Sequence, residues 1–513
     1  MDINDFLNQP TSRLHPSYKQ SLLTVEAAEY ATGEVLLGSV CRKLLLDLGE
    51  ATIDLSKLPE LEDQLDRAFA DIDPGLAGLG QTLLFEPGGI ASPQKYGQLG
   101  LRPLRSLMPI VPQVARHACV IGKVRSRWSP ANLLVQVIGT GLNEQKGNEL
   151  IDRLTRALLI GPDEDLFARF LATFLERAAG SGNLPSAAPY RLTADDRRGF
   201  RGQAAAPGLS PAERVCQDLD AVVAIKGQLT RRQWSVLLEA ACRIGLVTHV
   251  LWVCQANAAC WQLALEAAEG APVPDVAEVE RRLWVAHRDS APLIEIGRPA
   301  TPGIKRILER YLVARFGLNI LLCALDGAGQ TFAGALGADV ARGTSAAEGI
   351  REFLLHVAAN RWNLNAQNPA GWLRALCSEV CDEYPSHVSA KTGSTKNLLE
   401  FAIYALGQLK TSPPDRRCYD QAFLLSSDER SNRKPQVAQP GPAMLLFLAH
   451  ACCSTLSGLP VSLEDFRLYL SDYGLHTPAG ELLTGRLCSD LQNLGLVVDS
   501  PDAAGGRLLV KPF

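Results

Sequence analysis

"LVTHVLWVCQANAACWQLAL", residues 246–265, carries no formal charge over a length that would cross a bilayer. The fold turns on whether this stretch meets lipid or other helices. His249, Gln255, Asn257 and Gln262 fall around the whole helical circumference, and each would need a hydrogen-bond partner in hydrocarbon. A helix that is apolar on every side and dotted with such groups fits the centre of a helical protein. The stretch is therefore read as a buried core helix, and no membrane span is expected.

The flanking sequence continues the helical theme. "EGAPVPDV" (269–276) breaks the long central helices. "ELEDQLDRAFADI" (60–72) and "NELIDRLTRALLI" (148–160) space apolar residues three and four apart. Ser129-Pro130, Ser210-Pro211 and Thr301-Pro302 each set a capping hydroxyl before a proline suited to a first helical turn. Thr230 with Gln233, and Ser345 with Glu348, have capping-box spacing. The chain is expected to be mainly α and, at 513 residues, multidomain. The boundaries read are an N-terminal helical region (1–85), a basic helical domain with its linker (86–205), a central helical domain (206–300), a helical domain (301–425) and a C-terminal unit (436–513). Residues 181–209 and 426–442 have linker composition, rich in Gly, Pro and polar residues.

The last 70 or so residues have a different grammar. The apolar "AMLLFLAHACCSTL" precedes "SLEDFRLYLSDYG", opened by Ser462, and then "AGELLTGRLCSDLQNLG", read as one helix with Leu482, Leu483, Leu487, Leu491 and Leu494 on its apolar face. Two strand-like runs, "LVVDS" and "RLLVKP", close the chain. Helices followed by a terminal hairpin in this order resemble a winged helix-turn-helix. Such a domain normally brings several basic or amide side chains to DNA. Here, from Gly480 to Phe513, Arg486, Arg507 and Lys511 face Glu481, Asp490, Asp499 and Asp502. Protein docking suits that balance better than phosphate binding.

Most recognisable chemistries can be set aside. "LLCALDGAGQTFAGALGADVARG" (321–343) is glycine-rich, but a dinucleotide loop needs a preceding strand and GxGxxG spacing. "LNILLCAL" instead continues the capped helix that precedes it. "LLVQVIGTG" likewise lies behind a Ser-Pro helix start, where glycines serve close backbone contact. There is no GxxxxGK[ST], HExxH or GxSxG. The kinase-like "HRD" at 287–289 has Ile294 where a metal-binding Asn is required. Glu144-Gln145-Lys146 lacks the second carboxylate of a nuclease site. Cys377, Cys381 and His387, with Cys418, have loose zinc-ligand spacing, but two of these thiols sit one helical turn apart. His450, Cys452 and Cys453 lie on an almost wholly apolar helix. The thirteen cysteines are irregularly spaced and odd in number, and "MDINDFLNQP" has no basic leader. Buried thiols in a cytoplasmic protein are expected, without metal or cofactor.

One electrostatic feature stands out against a net charge of −4. From Pro87 to Asn143 there is no acid, while Lys95, Arg102, Arg105, Arg116, Lys123, Arg125 and Arg127 are all basic, with Trp128 beside them. Clustered cations bind phosphates, and an exposed aromatic ring stacks on bases. The nucleic-acid site is therefore placed at Arg102, Arg105, Arg116, Lys123, Arg125, Arg127 and Trp128; the same cations would equally serve carboxylates elsewhere in the fold or an acidic partner. The expectation is a non-catalytic subunit of a bacterial DNA-processing or phage-defence assembly, working beside a separate ATPase or nuclease. The rival expectation is an enzyme whose site is assembled from distant residues around Asp420.

Overall fold

The computed structural model describes residues 14–25, 33–46, 130–166, 190–201, 209–289, 292–327, 342–364, 394–408, 420–426, 436–456, 460–499 and 507–513, with a few single positions besides. These are predominantly helical. The helices used below are α1 (Gly33–Cys41), α2 (Pro130–Gly141), α3 (Glu144–Leu158), α4 (Pro211–Ala224), α5 (Arg231–Glu269), α6 (Val276–Trp284), α7 (Ala300–Gly327), α8 (Ala346–Leu364), α9 (Ser394–Leu406) and α10 (Pro442–Thr455).

Helix α5 is the axis of the molecule. Its 39 residues begin at a complete capping box, Thr230 with Gln233. They end at Gly270, whose φ of 97° lets the chain leave the helix in the left-handed region. The helix is apolar and long enough to cross a membrane, yet 89% of its most apolar window is buried. Its first half, through Leu251, packs with α1–α4, α9 and α10 in one core. Its second half, from Trp252, packs with α6, α7, α8 and residues 18–23 in another. Helix α7 runs beside α5 and contributes to both cores.

Two of the polar groups that argued against a bilayer, Asn257 and Gln262, have protein partners. Asn257 accepts from the Tyr18 hydroxyl at 2.6 Å and donates to the carbonyls of Leu23 and Val253. His249 is stripped of water, and burial lowers its pKa to about 3, so it stays neutral. Gln262 lies on the exposed side and reaches Glu266 at 3.2 Å.

Helix starts follow the caps, with one shift. Ser210 and Ser345 make their boxes with Glu213 and Glu348. Helix α7 begins at Ala300, so Thr301 and Pro302 lie inside its first turn, where a missing N–H is tolerated because the first four are unpaired anyway. "LNILLCAL" is helical within α7, as its capped start implied. Gly139 and Gly141 in α2 serve close packing: a Cβ would stand 2.3 Å from the Asp196 carbonyl oxygen and 2.5 Å from that of Ala212. Residues 190–201, which composition assigned to a linker, are thus packed. Asp196 is buried there and accepts from Tyr190, Thr193 N and Thr193 Oγ1.

After β1 (Ile294–Glu295) and the antiparallel pair β2 (Leu425–Ser426) and β3 (Val437–Ala438), the C-terminal region comprises α10, β4 (Val461–Ser462), α11 (Leu463–Asp472), β5 (Leu475–His476), α12 (Ala479–Leu483), α13 (Arg486–Asn493), β6 (Val497–Asp499) and β7 (Arg507–Leu509). Strands β6 and β7 pair antiparallel, and β4 adds to the other edge of β7, giving the order β4-β7-β6. "AGELLTGRLCSDLQNLG" is two helices rather than one. The chain turns at Thr484-Gly485, where a Cβ on Gly485 would meet the Glu481 backbone at 2.5 Å. The turn takes Leu483 off the expected apolar face and leaves it 55% exposed, while Leu482, Leu487 and Leu491 stay buried. Strand β5 pairs in parallel with β1 (Ile294–Glu295), and the buried residues of the region belong to the first core.

Candidate functional site: a cationic groove beneath the C-terminal module

A groove of about 640 Å³ lies where five separated segments meet: the start of α5, Gln421, the start of α10, Leu494–Leu496 after α13, and the final Val510–Phe513. The backbone holds this shape locally. The Thr230–Gln233 box fixes the first turn of α5, and Pro442 starts α10. The Val510 amide donates to the Leu496 carbonyl at 2.8 Å, which ties the terminal segment to the hairpin. Apolar walls come from Val236, Leu446, Leu494 and Phe513. The cations are Arg232 and Lys511, both exposed and without an ion pair among the described residues. Among the described residues, no Asp or Glu side chain lines the groove. Its size falls within the range of ligand and peptide-anchor pockets.

Polar contacts also tie α11 to α4. Asp218, on α4, is wholly buried and accepts from the hydroxyls of Tyr469 (2.6 Å) and Tyr473 through the same oxygen, Oδ2. Its Oδ1 has no hydrogen-bond partner. Burial raises the Asp218 pKa to about 6, against the opposing pull of Arg214 and the two tyrosines. Arg214 pairs with Asp472 on α11 and lies over the Tyr469 ring at 4.9 Å. Lys511 also adds to burial in lowering the His450 pKa to about 4.

Those of the singled-out residues that are described make structural contacts. Asp420 is buried and held at 2.8 Å by Arg243, which also contacts Glu239 (3.1 Å). The same guanidinium donates to the carbonyls of Ala405 and Gly407, closing the end of α9. This commits the cation to a clamp joining α5, α9 and the Asp420 segment. Glu144 pairs with Arg197 at 2.7 Å. His450 and Cys452 are buried in α10, and burial raises both neighbouring thiols, Cys452 and Cys453, away from the reactive thiolate. Cys41 rises to about 11, and Cys242 and Cys260 to about 12, for the same reason. Among the described residues, no three His, Cys, Asp or Glu converge as a metal requires. Arg102, Arg105, Arg116, Lys123, Arg125, Arg127 and Trp128 lie outside the described residues, as do Cys377, Cys381, His387 and Cys418.

Sequence reasoning missed the groove and the Asp218 lock. The one available signal was the Tyr469/Tyr473 pair, four apart on one helical face; nothing local marks Asp218, some 250 positions away, as its acceptor. Compared with known proteins, the chain is matched by no family model and by no curated protein.

Proposed function

We propose that this protein is a non-catalytic subunit of a bacterial multiprotein assembly for DNA processing or phage defence, and that its C-terminal unit is a winged-helix-like docking module. The strand order β4-β7-β6, with helices between β4 and the hairpin, supports the winged-helix reading. The groove carries the docking reading: apolar walls, two uncommitted cations and no lining acid suit an acidic protein segment that inserts apolar anchors. The module offers little to phosphate, since Arg507 pairs with Asp499 (3.2 Å) and Arg486 with Asp490 (4.0 Å). Exposed Leu468, Leu483 and Val498 give it further apolar contact surface. Nucleic acid, in this reading, is met by the acid-free window 87–143, and a separate ATPase or nuclease supplies the chemistry.

The module shares its core with α4 and α5, so the test uses point changes rather than truncation. Tagged parent and R232E/K511E proteins are purified from the native host, with nuclease treatment. A protein retained by the parent and lost from the double variant supports the groove as the docking site. A complex that ignores the two charge reversals, or that nuclease alone dissolves, overturns it.

A further inference from the structure

A second cavity lies on another face of the molecule, between α5 and α7. It measures about 230 Å³ and is walled by Ala258 and Ala259 of α5, Gly303 and Ile307 of α7, and Pro292. Gln255, 7% exposed, presents a buried carboxamide to it. Arg306 and Arg310 complete the lining from successive turns of α7.

Those two arginines are the informative pair. They stand four apart on one helix face, where like charges repel and destabilise the helix modestly. Both are exposed, and among the described residues neither makes an ion pair or hydrogen bond. Glu309, the acid between them in sequence, pairs with Lys305 at 3.7 Å. Among the described residues, no acid lines the cavity. Residues four apart stand about one helical pitch, roughly 5–6 Å, apart along α7, so both side chains can reach one anion. A phosphate monoester offers that pair three terminal oxygens and up to about two negative charges, against the two oxygens and single charge of a carboxylate. Apolar walls lower the local dielectric and strengthen both contacts. The volume holds a phosphate and a small substituent but falls short of the range for larger ligands.

We infer that this cleft is a binding site for a phosphate monoester, gripped by Arg306 and Arg310. The inference is independent of the docking groove. A phosphate monoester can come from a small sugar phosphate or from the 5′ end of a polynucleotide. Calorimetric titration with ribose 5-phosphate, and with a short single strand carrying or lacking a 5′-phosphate, separates the two. Binding of ribose 5-phosphate alone assigns a metabolite, and phosphate-dependent binding of the strand assigns a nucleic-acid end.

In either case R306Q/R310Q, two surface changes that remove both charges, should weaken binding by at least about tenfold. A259L keeps both charges but fills the cleft, and it should abolish binding as well. If neither probe binds the parent protein, or if A259L binds as tightly as the parent, the cleft is not a phosphate site. Retained affinity in R306Q/R310Q would equally overturn the assignment.

Discussion

Asp218→Asn isolates the buried charge that ties α4 to Tyr469 and Tyr473. Asp218 is buried, its Oδ2 takes both tyrosine hydroxyls, and its Oδ1 has no partner. The folded protein therefore holds a proton there up to about pH 6, whereas the ordinary value is 3.8. A carboxyl raised on folding contributes stability that is complete below the unfolded value and lost as pH rises through the folded one. Stability should thus fall between about pH 4 and 6 by about 1.4 kcal/mol per unit, or on the order of 3 kcal/mol in all. Asparagine keeps an acceptor for Tyr469 and Tyr473 but cannot ionise. Urea denaturation of both proteins at several pH values, taken as a difference, removes the other titrating groups. The parent's advantage over D218N should shrink by that amount between pH 4 and 6 and stay level above. Parallel profiles, or an advantage that grows with pH, would refute the buried-anion argument.

Replacing Arg243 with Met removes a buried guanidinium from Asp420 and the donor from the carbonyls of Ala405 and Gly407. A loss of about 3–5 kcal/mol is expected, read by denaturation. Gly139→Ala places a Cβ against the Asp196 carbonyl, so about 1–3 kcal/mol should be lost and the thermal midpoint should fall. Changing Arg116, Lys123, Arg125 and Arg127 together to Ala should weaken salt-sensitive binding of DNA and RNA without altering sequence preference. Unchanged binding would make the basic window a partner surface.

What the sequence determined by itself is what neighbours a few residues apart can enforce. The boxes at Ser210, Thr230 and Ser345 form because cap and N3 residue sit within one turn, whatever packs above them. The polar residues ringing the 246–265 stretch were enough to place it in a protein core, because each needs a partner that lipid lacks. The helical character of α7 through "LNILLCAL", and the close contact at Gly139 and Gly141, were legible on the same grounds. Only the tertiary structure decided which distant groups meet. Asp218 finds its tyrosines 251 and 255 positions away, and Arg243 reaches carbonyls and a carboxylate more than 160 away. The groove needs five segments, and β4, two residues long, exists only because β7 pairs with it. Leu483 shows the same limit at short range. Periodicity put it on the buried face, but the close backbone turn at Gly485 rotated it into solvent. Helical period and capping act through bonds within one turn, whereas ion pairs, grooves and edge strands depend on how whole helices pack, and no local spacing encodes that.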